Sequence, residues 1–302
     1  MSQPFFYCSE LSRGHGEETF GTASTGEVWL LIEYPYWWGS KAFHESLLSP
    51  AVKKHLNRAL KTIPRARLLF IKQDRVRDRE LSILIAHCRE SNPSITKLTI
   101  KDYEQLLDLD FAAFVKSPKS ETVLDSPIYL VCTHGKRDKC CAKFGYPLYK
   151  VLRQEMGNGV WQSSHVGGDR FAANLICFPH GLFYAHATEE AGRRIIIEYS
   201  RGRLILDKFR GRACYSNPAQ AADFFIRAEA AITGVDELRY LDTERPSALI
   251  RRVRFMAVDG SSIHEATVRR VMSEFQSYTT CHSTEEKQME QFRLEDYRVL
   301  RL

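Results

Sequence analysis

No stretch of this 302-residue chain approaches the roughly 18 consecutive apolar residues of a membrane span, and the longest apolar runs, 28–32 and 81–86, have the size of core elements. Its first residues, Met-Ser-Gln-Pro-Phe-Phe-Tyr-Cys-Ser-Glu, lack the basic patch and apolar core of an export signal. No membrane is therefore expected as a partner, and a cytoplasmic location is. The Gly167-Gly168 pair lacks the G-x-G-x-x-G spacing, so neither a flavin nor a nicotinamide site is indicated. Also missing are a Cys-x-x-Cys dithiol motif, a glycosidase-type carboxylate pair and a repeat of clear period. A net charge of +6 is mild and shows no concentrated patch on a known binding fold, which sets nucleic acid aside as a partner.

What is present is ordinary globular material, 44% hydrophobic and 26% charged, enough for two domains or one large one. Eight cysteines in a chain without an export signal read as reduced thiols and metal ligands, not disulfides.

Pattern divides the chain into four stretches. Residues 1–26 are polar and rich in Gly, Ser and Thr, and read as a loosely held lead-in. Residues 27–120 make an α/β module: a strand ended by Pro35, a helix started by Ser49-Pro50, and a strand over 67–72. That order predicts a parallel pair covered by a helix. Residues 80–89 fit a helix or a strand equally well.

A second α/β domain, 121–235, follows the polar stretch 116–126. Its first strand delivers Cys132 to a loop, a helix begins at Tyr146-Pro147 and ends near Gly157, and a strand from Val160 ends at His165. A hairpin over 174–187 comes next, then a helix capped by Thr188 and a helix over 218–232. The remainder, 236–302, is an α+β extension with strands over 250–258 and 293–302, a helix over 263–275 and a loop at Cys281.

The most informative constellation is Cys132, Cys141 and His165, the last in Ser-His-Val-Gly-Gly-Asp-Arg-Phe. Two thiols and an imidazole suit iron–sulfur or zinc chemistry far better than magnesium or calcium. Eight intervening residues are too many for a zinc knuckle, whereas a loop of that size can wrap a two-iron, two-sulfide cluster. Gly167 and Gly168 would then let backbone amides approach the sulfides, and such bonds raise the reduction potential. Lys136, Arg137, Lys139, Lys143 and Arg170 would add positive field and steer an acidic partner.

At these residues the chain resembles the sucrase/ferredoxin-like family, a branch of the thioredoxin-like ferredoxins. The matching segments are Val-Cys-Thr-His-Gly-Lys-Arg-Asp-Lys-Cys-Cys-Ala-Lys-Phe-Gly (131–145), Ser-His-Val-Gly-Gly-Asp-Arg-Phe-Ala-Ala-Asn-Leu (164–175) and Pro-His-Gly-Leu-Phe-Tyr (179–184). Gly21-Thr-Ala, Trp29-Leu-Leu-Ile-Glu and Trp38-Gly39 look like bacterial members, and the likeness spans about 20–235. It implies a thioredoxin-like fold that holds a [2Fe–2S] cluster with mixed Cys/His ligation and works as a one-electron carrier for a redox partner protein. Cys132 and Cys141 match the cysteines that bind one iron, and His165 matches the first of two histidines on the other. Asp169 stands where the second histidine is expected, so the fourth ligand is Asp169, Cys140 or none. Arg170, beside Gly167 and Gly168, joins the residues expected around the cofactor.

Two other readings compete: a cofactor-free thiol–disulfide protein on the same fold, and an interaction module that has lost the cluster. Whether the chain is an enzyme is open at this stage. Cys140 reads as a neighbour pointing away, His134 as a solvated loop histidine or a partner of the site, and Asp169 with Arg170 as an internal ion pair. Cys177 reads as core packing. Cys8, Cys88, Cys214 and Cys281 show no ligand spacing and read as structural or free. Tyr34 to Trp38 reads as a packed aromatic corner, and Arg251 to Arg254 as one solvated strand face.

Overall fold

The computed structural model describes residues 6–74, 80–116 and 122–302; part of the 116–126 stretch and the first five residues of the lead-in lie outside them. In the first module, β1 (Val28–Glu33) pairs in parallel with β2 (Ala66–Lys72) across α2 (Pro50–Thr62), as the strand–helix–strand order predicts. Ser49 caps α2 by accepting the Val52 N–H with Pro50 at the first turn, and Val52, Leu56 and Ala59 bury one face. The ambiguous 80–89 stretch is strand β3 (Leu81–His87), paired antiparallel with both β1 and β4 (Ser94–Ile100), and the short helix α3 (Phe111–Lys116) follows. Six of the seven β3 residues are buried, the pattern of an internal strand covered on both faces.

The strands from 128 onward repeat that plan. β5 (Ile128–Cys132) pairs in parallel with β6 (Val160–Ser163) across α4 (Tyr146–Met156), and β7 (Leu175–Phe178) and β8 (Leu182–Tyr184) form the expected hairpin. Gly157, at φ 66°, ends α4. Thr188 caps α5 (Glu189–Ser200), and α6 (Asn217–Ala230) follows β9 (Phe209–Arg212).

Both modules belong to one nine-stranded sheet of order β4-β3-β1-β2-β6-β5-β7-β8-β9, joined where β2 meets β6 antiparallel. The two halves have the same local order outward from that seam: second strand, first strand, then an antiparallel pair.

The extension forms a separate antiparallel sheet of order β10-β11-β12-β13, from β10 (Leu238–Glu244), β11 (Ile250–Ala257), β12 (Ser262–Ser277) and β13 (Lys287–Arg301). Here the helix expected over 263–275 is wrong. Ala266 and Val268 are buried at a spacing of two and pack with Ala222 and Ile226 of α6, while ladders to β11 and β13 satisfy the backbone. The 278–286 loop, expected at Cys281, joins β12 to β13.

The lead-in is also more ordered than its composition suggests. α1 (Cys8–Gly14) buries Cys8, Ser9 and Ser12, and Phe20 and Ala23 enter the core. Among the described residues no helix is long and apolar enough to cross a membrane. Of the aromatic corner, Tyr34 and Trp38 are buried while Tyr36 and Trp37 face solvent. Arg252 and Arg254 sit on a half-buried strand face, paired with Glu244 and Asp242.

One glycine sets how closely the second domain folds over its first strand. A Cβ on Gly145 would stand 2.0 Å from the carbonyl oxygen of Cys132, whereas one on Gly14 would meet nothing within 4 Å. Gly145→Ala is thus expected to cost about 2 kcal/mol, while Gly14→Ala changes stability by less than about 1 kcal/mol. Urea unfolding of the two variants checks this, and equal midpoints would contradict the close approach.

Candidate metal centre

β5 carries Cys132 to the sheet end, where its N–H donates to the Asn174 carbonyl at 3.1 Å. The chain then turns back on itself: the Arg137 and Asp138 amides donate to the His134 carbonyl at 3.0 and 3.2 Å, and the Cys141 amide to the Asp138 carbonyl at 3.1 Å. Cys141 opens a π-helical turn, Cys141–Gly145, that leads into α4. This hairpin-like path returns Cys141 to Cys132, and both are buried.

His165 arrives from the other side on the residue after Ser164. Ser164 is clamped to β2, its N–H donating to the Phe70 carbonyl at 2.7 Å and its Oγ accepting from the Phe70 amide at 3.0 Å. The His165 amide donates to Nδ1 of His134 at 3.1 Å, and Nε2 of His134 lies 2.7 Å from the Gly39 carbonyl. Those bonds assign His134 as neutral with its proton on Nε2, and burial pushes its pKa down, in agreement. His134 is only 3% exposed, so the solvated-loop reading does not hold: it is a strut between the Gly39 loop and the His165 backbone.

The result is convergence. One donor atom each from Cys132, Cys141 and His165 lies within 4.8 Å of the others. Asp169, on a 3-10 turn that follows Gly168, borders the trio on one side: Oδ1 is 3.0 Å from Nδ1 of His165 and accepts from the Cys141 thiol at 3.6 Å. Although close, the carboxylate lies off the hydrogen-bonding direction of the ring, and the buried Nδ1 has no directed partner. The contact is ionic, and the in-plane direction of that nitrogen is turned elsewhere.

Electrostatics follow from this packing. A hydrogen bond from Cys141 draws the Cys132 thiol well below its ordinary pKa against the opposing effect of burial, with His165 adding to the shift. The same bond and burial push Cys141 up. Burial alone would lower the His165 pKa, but Asp169 and the Cys132 thiolate outweigh it and carry it up to about 9. Without a metal these shifts favour negative charge on Cys132 and a proton on His165, and keep the proton on Cys141. The donor set, two thiols and one imidazole with a carboxylate beside them, fits a soft or borderline transition metal or an iron–sulfur cluster.

The other expected residues sort themselves around this centre. Gly167 and Gly168 have φ of 88° and 79°, a region that favours glycine, and a Cβ on either would run into Ser24 or Arg210. Arg170 is not paired with Asp169: its Nε binds Glu17 at 2.7 Å, and the guanidinium covers the Phe171 ring. Cys140 points away, as expected, into a separate group with Cys8 and Cys281. Cys177 is core packing in β7.

Sequence reasoning missed Arg210. Fully buried, it bonds the Gly167 carbonyl at 3.0 Å, Asn174 Oδ1 at 2.7 Å and Thr22 Oγ1 at 3.1 Å. Burial lowers its pKa to about 9 while Asp169 and Cys132 oppose the shift, so a cation sits within reach of the site's two negative groups. It comes from β9, 45 residues beyond His165, and no local pattern ties the two together.

Beside His165 opens a groove of about 250 Å³ lined in part by Phe43, His134, Arg137 and Ser164. The His165 side chain is 24% exposed there, while Asp169 is nearly covered.

The family model described as sucrase/ferredoxin-like matches residues 19–211, well over half of the chain. A curated relative from the yeast Meyerozyma guilliermondii, altered inheritance of mitochondria protein 32, is 33% identical over 102 residues, covering 30% of this chain and 36% of that protein. The chain thus aligns with about a third of that relative's length. No solved structure matches significantly. On the strength of the family match, the chain belongs to the sucrase/ferredoxin-like family.

Proposed function

We propose that this protein is an iron–sulfur electron carrier of the thioredoxin-like ferredoxin branch, bacterial in type, acting with an acidic redox partner in the reducing cytoplasm. The observation that carries the reading is the convergence of Cys132, Cys141 and His165 within 4.8 Å beneath a family match that spans them. A [2Fe–2S] cluster bound there would supply a one-electron couple. Cys132 and Cys141 would hold one iron, His165 the other, with Asp169 as the fourth donor. Cys140 is not in that role, because its sulfur faces Cys8 and Cys281.

The surrounding residues have definable tasks. His134 holds the His165 amide at 3.1 Å and Phe70 holds the preceding Ser164 amide at 2.7 Å, so the imidazole is aimed before any metal arrives. Asp169 holds a proton on His165 in the metal-free state and accepts from Cys141, and that proton has to leave when the imidazole ligates. Arg210 places a buried positive charge near the thiolate side, which favours added electrons there. His165, which lines the groove, is the ligand closest to solvent and offers the shortest path for an electron, with Arg137 in the same lining and the exposed Lys136 next to it in sequence to meet an acidic surface. Seven of the eight thiols are buried, in keeping with a reducing compartment.

A second reading has one specific observation behind it. Donors that all fall within 4.8 Å also suit a single tetrahedral ion, a zinc held by the same residues.

Anaerobically purified protein is expected to be brown, to contain iron and sulfide in equal amounts, and to show a paramagnetic signal on reduction. Cys132→Ser and Cys141→Ser each abolish the colour and Cys177→Ser keeps it; colourless protein holding a zinc that either of the first two substitutions removes selects the second reading. Colourless protein with no metal that depends on Cys132 or Cys141, and that loses those two thiols on mild oxidation, selects a dithiol enzyme.

Metal loading is expected to strengthen from pH 7 to 9, because protons on Cys141 and on His165, whose pKa is about 9, must be displaced. The gain is about tenfold per displaced proton per pH unit. Chelator competition across that range measures the slope, which His165→Ala should reduce by one proton. In the loaded protein Arg210→Met is expected to lower the reduction potential and Arg210→Lys to preserve most of it; equal potentials by redox titration would remove Arg210 from the electrostatics.

A further inference from the structure

A second group of donors lies on the opposite side of the same loop. We propose that Cys8, Cys140 and Cys281, with Asp138, form a closed four-coordinate zinc centre that ties both ends of the chain to the loop carrying Cys141. The inference is independent of what the Cys132–Cys141–His165 site binds.

The donor geometry carries it. Sγ of Cys8 is 3.7 Å from that of Cys140 and 3.5 Å from that of Cys281, and the latter two are 3.1 Å apart. The Asp138 carboxylate oxygens stand 3.9 and 4.0 Å from the Cys8 sulfur, and one donor atom from each of the four residues lies within 4.8 Å of the rest. Around a tetrahedral zinc with Zn–S near 2.3 Å, sulfurs stand about 3.8 Å apart and a carboxylate oxygen about 3.5 Å from each. The spacings from Cys8 lie within about 0.5 Å of those values, and Cys140 and Cys281 at 3.1 Å would move apart as a metal enters between them. A disulfide needs about 2.05 Å, no pair among these thiols is bonded, and three thiols cannot pair without leaving one over.

The surroundings are those of a ligand shell. All four side chains are buried. Backbone amides point at the negative atoms: Cys8 N to Cys281 Sγ at 3.4 Å, Ser9 N to Cys140 Sγ at 3.5 Å, and Cys140 N and Cys281 N to the two Asp138 oxygens at 2.9 and 2.7 Å. Such donors stabilise thiolates and orient a ligating carboxylate. Phe6, Tyr7, Phe144, Ala172 and Tyr278 pack around the sulfurs and keep water off them. Soft thiolates with one oxygen, tetrahedral and without an open position, describe structural zinc better than any hard cation. On binding, the thiols give up their protons to solvent.

The three sulfurs come from α1, from the loop before α4, and from the β12–β13 connection, up to 273 residues apart. A metal here would fasten the N-terminal helix and the tip of the C-terminal hairpin to the residue preceding Cys141.

The test uses the full chain carrying Cys132→Ser and Cys141→Ser, so that the other site contributes no thiol. Metal analysis and native mass spectrometry should find about one zinc per chain, and Co2+ exchange should give the visible bands of a tetrahedral thiolate site. Cys8→Ser, Cys140→Ser or Cys281→Ser added to that background should remove the zinc, whereas Cys88→Ser should not. Should those variants fail to fold, zinc is stripped from the folded background protein and newly alkylated thiols are mapped. Protection lifted at 8, 140 and 281 supports the centre. Folded background protein without zinc, with iron instead, with a disulfide among these cysteines, or with protection lifted elsewhere overturns it. Loss of iron or colour in the unmodified chain is a separate result and bears only on the first site.

Discussion

Neighbouring side chains on a helical turn diverge by about 100°, and at Cys140 and Cys141 that divergence organises the heart of the molecule. Cys141 turns inward to Cys132 and His165; Cys140 turns outward to Cys8 and Cys281. The loop between β5 and α4 is consequently a shared wall, and its backbone conformation is constrained from both sides at once. Asp138 and Asp169 are the matching carboxylates, one beside each group. A displacement of this turn by even an ångström would alter both sets of donor distances together. That is why Gly145, pressed against the Cys132 carbonyl, matters to more than local packing.

The first module takes part in the site without contributing a thiol. Strand β2 holds Ser164, and the Gly39 loop holds His134, which in turn holds the His165 amide. The imidazole is thus positioned by residues over ninety positions upstream, through a seam only a few residues wide where β2 meets β6. This explains why the two modules share one sheet: separating them would release one wall of the centre.

What could be read from the sequence was whatever chain-local chemistry controls. The Ser49-Pro50 and Thr188 caps, the proline and glycine ends of elements, and the Cys132–Cys141–His165 constellation all depend on neighbours within a turn or a loop. What could not be read depends on partners far along the chain. The 263–275 stretch carries apolar residues that satisfy a helical stripe, and only ladders to β11 and β13 decide for a strand. Residues 8–17 look like solvated linker because their burial rests on Ser9, Ser12 and Glu17 meeting groups more than 100 residues away, as Glu17 meets Arg170. Cys8, Cys140 and Cys281 are separated by 132 and 141 residues, so no spacing rule could group them. Arg210 was hidden for the same reason.

The family-matched span runs from 19 to 211, whereas two of the three outward-facing sulfurs lie at 8 and 281. An expression fragment trimmed to the recognisable domain would therefore leave Cys140 uncovered, a lone thiol against Phe144 and Ala172 with an apolar scar where Tyr278 and Phe6 had lain. Domain boundaries drawn from family likeness alone would cut through the molecule's own fastening.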